Sequence, residues 1–314
     1  MGDPLAIVSL VVSAGALGVA AAAWSRARKV KRTVRSLLEH GFVRANGERV
    51  DFPFSEPGMP KSWAERTRLV LECPDNEHIP RVANAGETHD GFVVMHNGLR
   101  VLVDSYYGGP VTEMLRVNRG VHEPEEERVF QEVLRHMPAD AVMIELGAYW
   151  GFYSLWFRSV VGPNAMNILV EPEHEHLESG RRNFSAAGFS DVKMVRGFVG
   201  SEPRDGDPPT VSVDSLMASE KLSRVNLLHS DIQGHEGEML RGAARALRAR
   251  TIDYIFISTH STRVHGRCRK FLDRASYEIL ADSSVSESYS FDGLLVGRRR
   301  ELAGLAPVGI AKRR

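Results

Sequence analysis

From Asp90 onward the apolar positions fall into short runs separated by longer amphipathic stretches. AVMIEL is followed by GFYSLWFRSVV, NILVEP by HEHLESGRRNFSAAG, VNLLHSDI by GEMLRGAARALRA, and IDYIFISTH by GRCRKFLDRA, while VKMVRGFVG, YEILADS and FDGLLVGRR add further short runs. Strand then helix at this rhythm predicts an α/β domain: a doubly wound, mostly parallel sheet with helices on both faces, ending in an antiparallel pair. Ahead of it, GFVVMHNGLRVLVDS clusters apolar residues around the turn pair Asn97-Gly98, which predicts a hairpin. EPEEERVFQEVLRHM has Pro124 just inside its start, acids in its first turn and Val129, Phe130, Val133, Leu134 and Met137 on one stripe, which predicts a helix.

The N-terminal pattern differs. Residues 4–24, PLAIVSLVVSAGALGVAAAAW, carry no charge, and about 21 residues at roughly 1.5 Å rise span about 30 Å, the thickness of a bilayer's hydrocarbon core. The basic flank SRARKVKR follows directly, whereas MGDP before the run has no lysine or arginine. A cleavable signal peptide would place its basic residues first, so this order predicts a single-pass transmembrane anchor with the bulk of the chain on the cytoplasmic side. A buried, weakly hydrophobic helix is the alternative. Ala14, Gly18 and Ala22 recur every fourth residue and would let two such helices meet in a homodimer. Residues 25–88, with breaker-rich DFPFSEPGMP and LECPDNEHIP, read as a basic juxtamembrane segment and linker, residues 89–300 as the folded domain, and 301–314 as a peripheral tail.

Composition changes this picture little. In 314 residues, 40 lysines and arginines balance 40 aspartates and glutamates, so no field of one sign points to nucleic acid. Cys73 and Cys268 stand far apart without CxxC spacing, against a disulfide framework or a structural zinc site.

Candidate chemistry concentrates where strands hand over to helices, since ligands in open α/β sheets sit beyond the carboxyl ends of the strands. In IELGAYWGFYSLWF, residues 144–157, Gly147 and Gly151 stand in such a turn, with Glu145 just before them. A dinucleotide fingerprint would read GxGxxG over a pyrophosphate. Here the pattern is GxxxG, and the acid would repel a diphosphate. It suits a nucleoside with a cationic end, such as S-adenosylmethionine. Glu171, closing NILVEP, stands where an acid accepts hydrogen bonds from both ribose hydroxyls.

The chain resembles the FkbM-type S-adenosylmethionine-dependent methyltransferases through IELGAYWGFYSLWF, LVEPEHEHLESGRRNF, LLHSDIQGHEGEMLRGA and IFISTHS, over about residues 90 to 298. The resemblance implies a class I, Rossmann-like fold with a seven-stranded sheet, S-adenosyl-L-methionine as cofactor, and a hydroxyl on a sugar, glycolipid or related product as acceptor. Glu145, Gly147, Ala148 and Gly151 fall on its first cofactor motif and Glu171 on its ribose-binding acid. Two departures stand out: Tyr149-Trp150 where the family commonly has Asn after its Gly-Ala pair, and Gly234-His235-Glu236 where it usually has Gly followed by Ala-Glu.

Methyl transfer is an in-line displacement dominated by placing the acceptor, with a general base adding to the rate. Asp231 follows VNLLHS and is expected at the carboxyl end of the fourth strand, facing the cleft; capping the next helix is the other reading. His260 and then His235 are the histidine candidates for a base, and alternation turns His229 inward. Asp231, Glu236 and His260 could hold a divalent ion, but no spacing demands one and no metal is assigned. Tyr106, Tyr107, HGRCRK and SYSFDG are further candidate acceptor contacts. The leading expectation is a membrane-anchored O-methyltransferase; a non-catalytic cofactor-binding scaffold at the membrane is the alternative. A nicotinamide oxidoreductase lacks its phosphate-binding glycines.

Overall fold

A computed structural model describes residues 60–313. The uncharged run at 4–24 and the basic segment after it lie outside the described residues, so the anchor expected there is not observed either way. Among the described residues no helix is long and apolar enough to cross a membrane.

In chain order the elements are α1 (Trp63–Glu72), β1 (Thr88–His89), β2 (Phe92–Val94), β3 (Arg100–Leu102), α2 (Gly109–Val117), α3 (Pro124–Leu134), β4 (Val142–Leu146), α4 (Phe152–Val161), β5 (Met166–Glu171) and α5 (His174–Ala186). They continue with β6 (Lys193–Arg196), β7 (Phe198–Val199), β8 (Thr210–Val211), α6 (Val213–Ser219), β9 (Val225–Ser230), α7 (Glu236–Gly242), α8 (Ala244–Ala249), β10 (Ile252–Thr259), α9 (Thr262–Arg274), β11 (Tyr277–Ser283) and β12 (Gly293–Arg299).

Seven strands form one sheet in the order β11-β12-β10-β9-β4-β5-β6. Neighbours from β6 to β10 are parallel, and β12 runs antiparallel to both β10 and β11. The expected Rossmann-like sheet and its closing antiparallel pair are therefore present. Strand order reverses between β4 and β9, which opens a crevice beyond their carboxyl ends.

The central strands are covered on both sides, and alternation divides their side chains between two cores. Met143, Leu169, Leu227 and Phe256 pack with Phe130 and Trp156; Ile144, Leu146, Ile168, Val170 and Leu228 pack with Met239 and Leu240 on the opposite face. Glu145 shares the Met143 face and is register-paired with His229. A carboxylate and an imidazole are thereby aimed into the first core.

The predicted hairpin is β2 and β3, turning through Asn97-Gly98 with Gly98 at φ +88°. The predicted helix is α3, whose Val129, Phe130, Val133 and Leu134 are buried. Three features differ from expectation. The linker drawn over 25–88 is folded in its described part: Ser62 caps α1, and Trp63 and Val70 enter the first core. The tail drawn over 301–314 is pinned, with Val308 N–H donating to Leu280 O at 2.7 Å and Ala311 N–H to an Asp75 carboxylate oxygen at 2.8 Å. The helix expected across GEMLRGAARALRA is two, divided at Ala243, where a Cβ on Gly242 would lie 2.2 Å from Gly200 O.

The acids opening α3 are also not where a solvated first turn would put them. Glu123, Glu125, Glu126 and Glu127 are all buried, and each has polar partners. His122 lies between Glu127, at 2.6 Å from Nδ1, and Glu123, at 3.2 Å from Nε2; Glu123 also meets Arg66 at 3.4 Å and accepts from the Tyr153 hydroxyl at 3.0 Å. Burial opposes charge on His122, but the two carboxylates outweigh it and raise the imidazole to about 10. Burial likewise opposes charge on Glu123, yet His122 and Arg66 pull its carboxyl down to about 2.

The His122 contribution to stability is therefore full below its ordinary value of 6.5 and fades as pH rises through about 10. The Glu123 contribution is full above 4.5 and fades as pH falls through about 2. His122→Gln should cost about 3–5 kcal/mol in urea unfolding at mildly acidic pH, the scale for breaking a buried ion pair. The difference from the parent protein should shrink as pH rises through about 10.

Candidate active site

The turn from β4 to α4 is tight. Gly147, Tyr149 and Gly151 all have positive φ, at +74°, +45° and +71°. Gly147 has no room for a side chain: a Cβ there would fall 1.8 Å from the carbonyl oxygen of Asp231, so glycine lets the β4 turn abut the end of β9. The backbone donors of the turn are spoken for. Gly147 N–H and Ala148 N–H donate to Val170 O at 2.9 and 3.1 Å, and Tyr149 N–H donates to Glu171 at 3.0 Å. A phosphate-binding loop must keep such donors free for its ligand.

The start of α4 carries its own anion. Glu145 accepts from Ser154 N–H at 3.1 Å, placing a carboxylate against the positive end of the helix dipole. It is buried, and burial pushes its carboxyl up to about 7, although His229 and the Ser154 donor favour the ionised form. Glu171, also buried, accepts from Tyr149 N–H through one oxygen, and from Glu173 N–H at 3.1 Å through the other, which lies 3.2 Å from His176 Nδ1. The His176 ring stacks on Tyr149 at 3.6 Å between centroids.

Glu145 and Glu171 open onto one cavity of about 570 Å³, within the range of small-molecule sites. Gly147, Ala148, Asp231 and His235 line it too. Gly151 does not line it: it begins α4, where a Cβ would meet Leu169 at 2.9 Å and Phe184 at 3.3 Å. Its part is to seat the helix on β5 and α5.

Asp231 directly follows β9 and does not cap α7, whose N-cap is His235. Its carboxylate accepts from Gln233 Nε2 at 3.0 Å and lies 3.1 Å from His260 Nε2. His235 is exposed, whereas His260 is buried and stands behind Asp231 rather than in the cavity wall. Burial opposes charge on His260, but Asp292, Asp231 and Glu236 raise it well above its ordinary value. His229 does line the cavity, held at 2.6 Å by Glu126. Burial opposes its charge as well, and Glu126 and Glu145 raise the imidazole.

Other lining groups carry no motif. Tyr106 stacks on Trp150 with centroids 4.8 Å apart and planes at 9°, Tyr107 lies beside Tyr149 at 5.2 Å, and His122 and Glu123 complete that wall. Tyr106 and Tyr107 are visible in the sequence only as a loop near glycines. His122 and Glu123 look like a helix start, and nothing short of the fold marks them as cavity walls.

The strand order, with this acid-lined cavity at its switch point, defines a Rossmann-like fold. Residues 158–279 match the family described as the methyltransferase FkbM domain. Among solved structures, the chain is similar to a methyltransferase FkbM from Methylobacillus flagellatus KT, with 18% identity, TM-score 0.42, and coverage of 51% of this chain and 44% of that one. The chain thus spans less than half of that protein. It is also similar to a precorrin-6y C5,15-methyltransferase from Geobacter metallireducens GS-15, with 17% identity, TM-score 0.39, and coverage of 55% and 88%. A third is M. capricolum TrmK in complex with S-adenosyl-homocysteine, with 11% identity, TM-score 0.37, and coverage of 55% and 67%. No curated protein matches the chain in sequence.

The residues present fit a nucleoside with a cationic end such as S-adenosylmethionine: a buried carboxylate held near neutrality gains its charge most readily beside a cation. S-adenosylmethionine binding should therefore weaken as pH falls through about 7, by up to about tenfold per unit once Glu145 is protonated. Calorimetric titration across that range should show the slope, and Glu145→Gln should give uniformly weak, nearly flat binding.

Proposed function

We propose that the protein is an S-adenosylmethionine-dependent O-methyltransferase acting on a hydroxyl of a sugar, glycolipid or related metabolite, held at the cytoplasmic face of a membrane by residues 4–24. The observation that carries the catalytic part is the convergence of Glu145, Glu171 and Asp231 on a single cavity at the point where strand order reverses.

In this reading Glu145 faces the cationic methionine end, Glu171 the ribose diol, and the closed β4 turn presents little free donor capacity that would favour a polyphosphate. The cofactor supplies an activated methyl group. The chain's own work is to hold an acceptor oxygen in line with that methyl, worth about 7–11 kcal/mol when placement is good. Asp231 is the residue to take the hydroxyl proton, because it lines the cavity and its backbone touches Gly147 of the cofactor turn. His260 acts behind it as a positioning residue, and exposed His235 is the secondary candidate. The aromatic wall of Tyr106, Tyr107 and Trp150 offers flat apolar faces with hydroxyl edges, which suits a ring bearing several hydroxyls. The uncharged length of residues 4–24 and the basic cluster behind them support the anchor and favour an acceptor close to the membrane.

Addition of S-adenosylmethionine should raise the thermal unfolding midpoint, and Glu171→Ala should remove most of that rise. With labelled cofactor and a lysate lipid fraction, Asp231→Asn should lower methyl transfer by about 10²–10⁴ while retaining the thermal shift. Cofactor binding with no transfer by the intact protein would favour the scaffold reading. Deleting residues 1–24 should move the protein from the membrane pellet to the supernatant; a variant that still floats with the membranes on a density gradient would remove the anchor from the proposal.

A further inference from the structure

Behind the Asp231 wall of the cavity, side chains from three separate stretches converge. Asp231 follows β9, His260 follows β10, and Asp292 immediately precedes β12, so all three stand at one end of adjacent strands. Asp231 Oδ1 lies 3.1 Å and Asp292 Oδ1 3.2 Å from His260 Nε2, and one ligand atom from each residue lies within 4.8 Å of the others. Neighbouring ligands on a six-coordinate ion with bonds of about 2.1 Å are about 3 Å apart, and opposite ones about 4.2 Å. The observed spacing matches ligands around one ion.

Hydrogen bonding alone leaves this cluster unsatisfied. His260 Nε2 and Asp292 Oδ1 are shut off from solvent and have no hydrogen-bond partner despite their proximity. Their side chains are 9% and 10% exposed. A single Nε2 proton cannot be directed at both carboxylates. The other imidazole nitrogen, Nδ1, lies 2.9 Å from Glu236 Oε1, and Glu236 is fully buried and also accepts from Gly234 N–H at 2.9 Å. A carboxylate behind a histidine fixes the ring and turns its free nitrogen outward, as is usual behind a metal-bound imidazole. Three carboxylates converge on this one imidazole. Arg66 acts on Asp292 only at longer range and is paired with Glu123.

We propose that Asp231, His260 and Asp292 bind one divalent transition-metal ion, with Glu236 holding the imidazole from behind. Two carboxylates and one imidazole suit Mn²⁺ or Zn²⁺ better than Mg²⁺, which prefers an all-oxygen shell. Because Asp231 also lines the cavity, the ion borders the space where an acceptor would bind and offers a Lewis acid to its oxygen. Metal binding here does not depend on the methyltransferase reading and is measured apart from it.

The test is titration of chelator-stripped, full-length protein with Mn²⁺, free ion being followed by electron paramagnetic resonance and folding checked by thermal melts. One Mn²⁺ should disappear from solution per chain and return when Zn²⁺ is added. Asp292→Asn should weaken binding at least tenfold, and Glu236→Gln by about 10–100-fold through loss of the orienting carboxylate. Should Asp292→Asn fail to fold, His260→Gln is the replacement. Wild-type protein that leaves all the Mn²⁺ free, or folded Asp292→Asn and His260→Gln variants that bind as wild type does, would overturn the site.

Discussion

A carboxylate buried at the junction of β4 and α4 sets what the cavity can receive. Glu145 occupies the positive end of α4, which in phosphate-binding relatives of this architecture is left for the ligand. With that end capped, and with the backbone donors of Gly147, Ala148 and Tyr149 committed to Val170 and Glu171, the turn presents negative charge where other α/β proteins present positive. The upward shift of the Glu145 carboxyl follows from burying an acid in that corner.

The acids at the start of α3 answer a related constraint. Glu126 holds His229, and Glu123 and Glu127 hold His122, so two of the cavity's histidines face carboxylates at the start of one helix. The helix thereby couples the aromatic wall to the sheet: Tyr106 and Trp150 pack edge-on against His122, and Tyr153 donates to Glu123. Replacing these pairs by apolar groups would change what lines the cavity as well as what supports it.

The sheet was legible because each central strand is a short apolar run bounded by an acid or a turn, and burial on both faces leaves that run nearly continuous. Glu145, Glu171 and Asp231 were legible for the same reason: an acid that closes an apolar strand stands at the end of the sheet where ligands sit. His260 was placed on the correct strand end but not behind Asp231, since that depends on the lateral order of β9, β10 and β12. Asp292 was visible only as part of SYSFDG, far along the chain from its partners. Periodicity places Glu123, Glu126 and Glu127 on α3, yet cannot say that this side of the helix meets histidines instead of water. α1 escaped notice because its sequence is polar, and the burial of Arg66 and Thr67 inside it depends on partners supplied by the rest of the fold.

Asp231 belongs to two neighbourhoods at once, the cavity on one side and the His260–Asp292 cluster on the other. A charge that settles on either side alters the same carboxylate, and linkage requires the effect to be equal in both directions. Occupants of the two neighbourhoods are thus thermodynamically conjugate: whatever free energy one contributes to the other's affinity is returned in full, without any movement of the backbone between them.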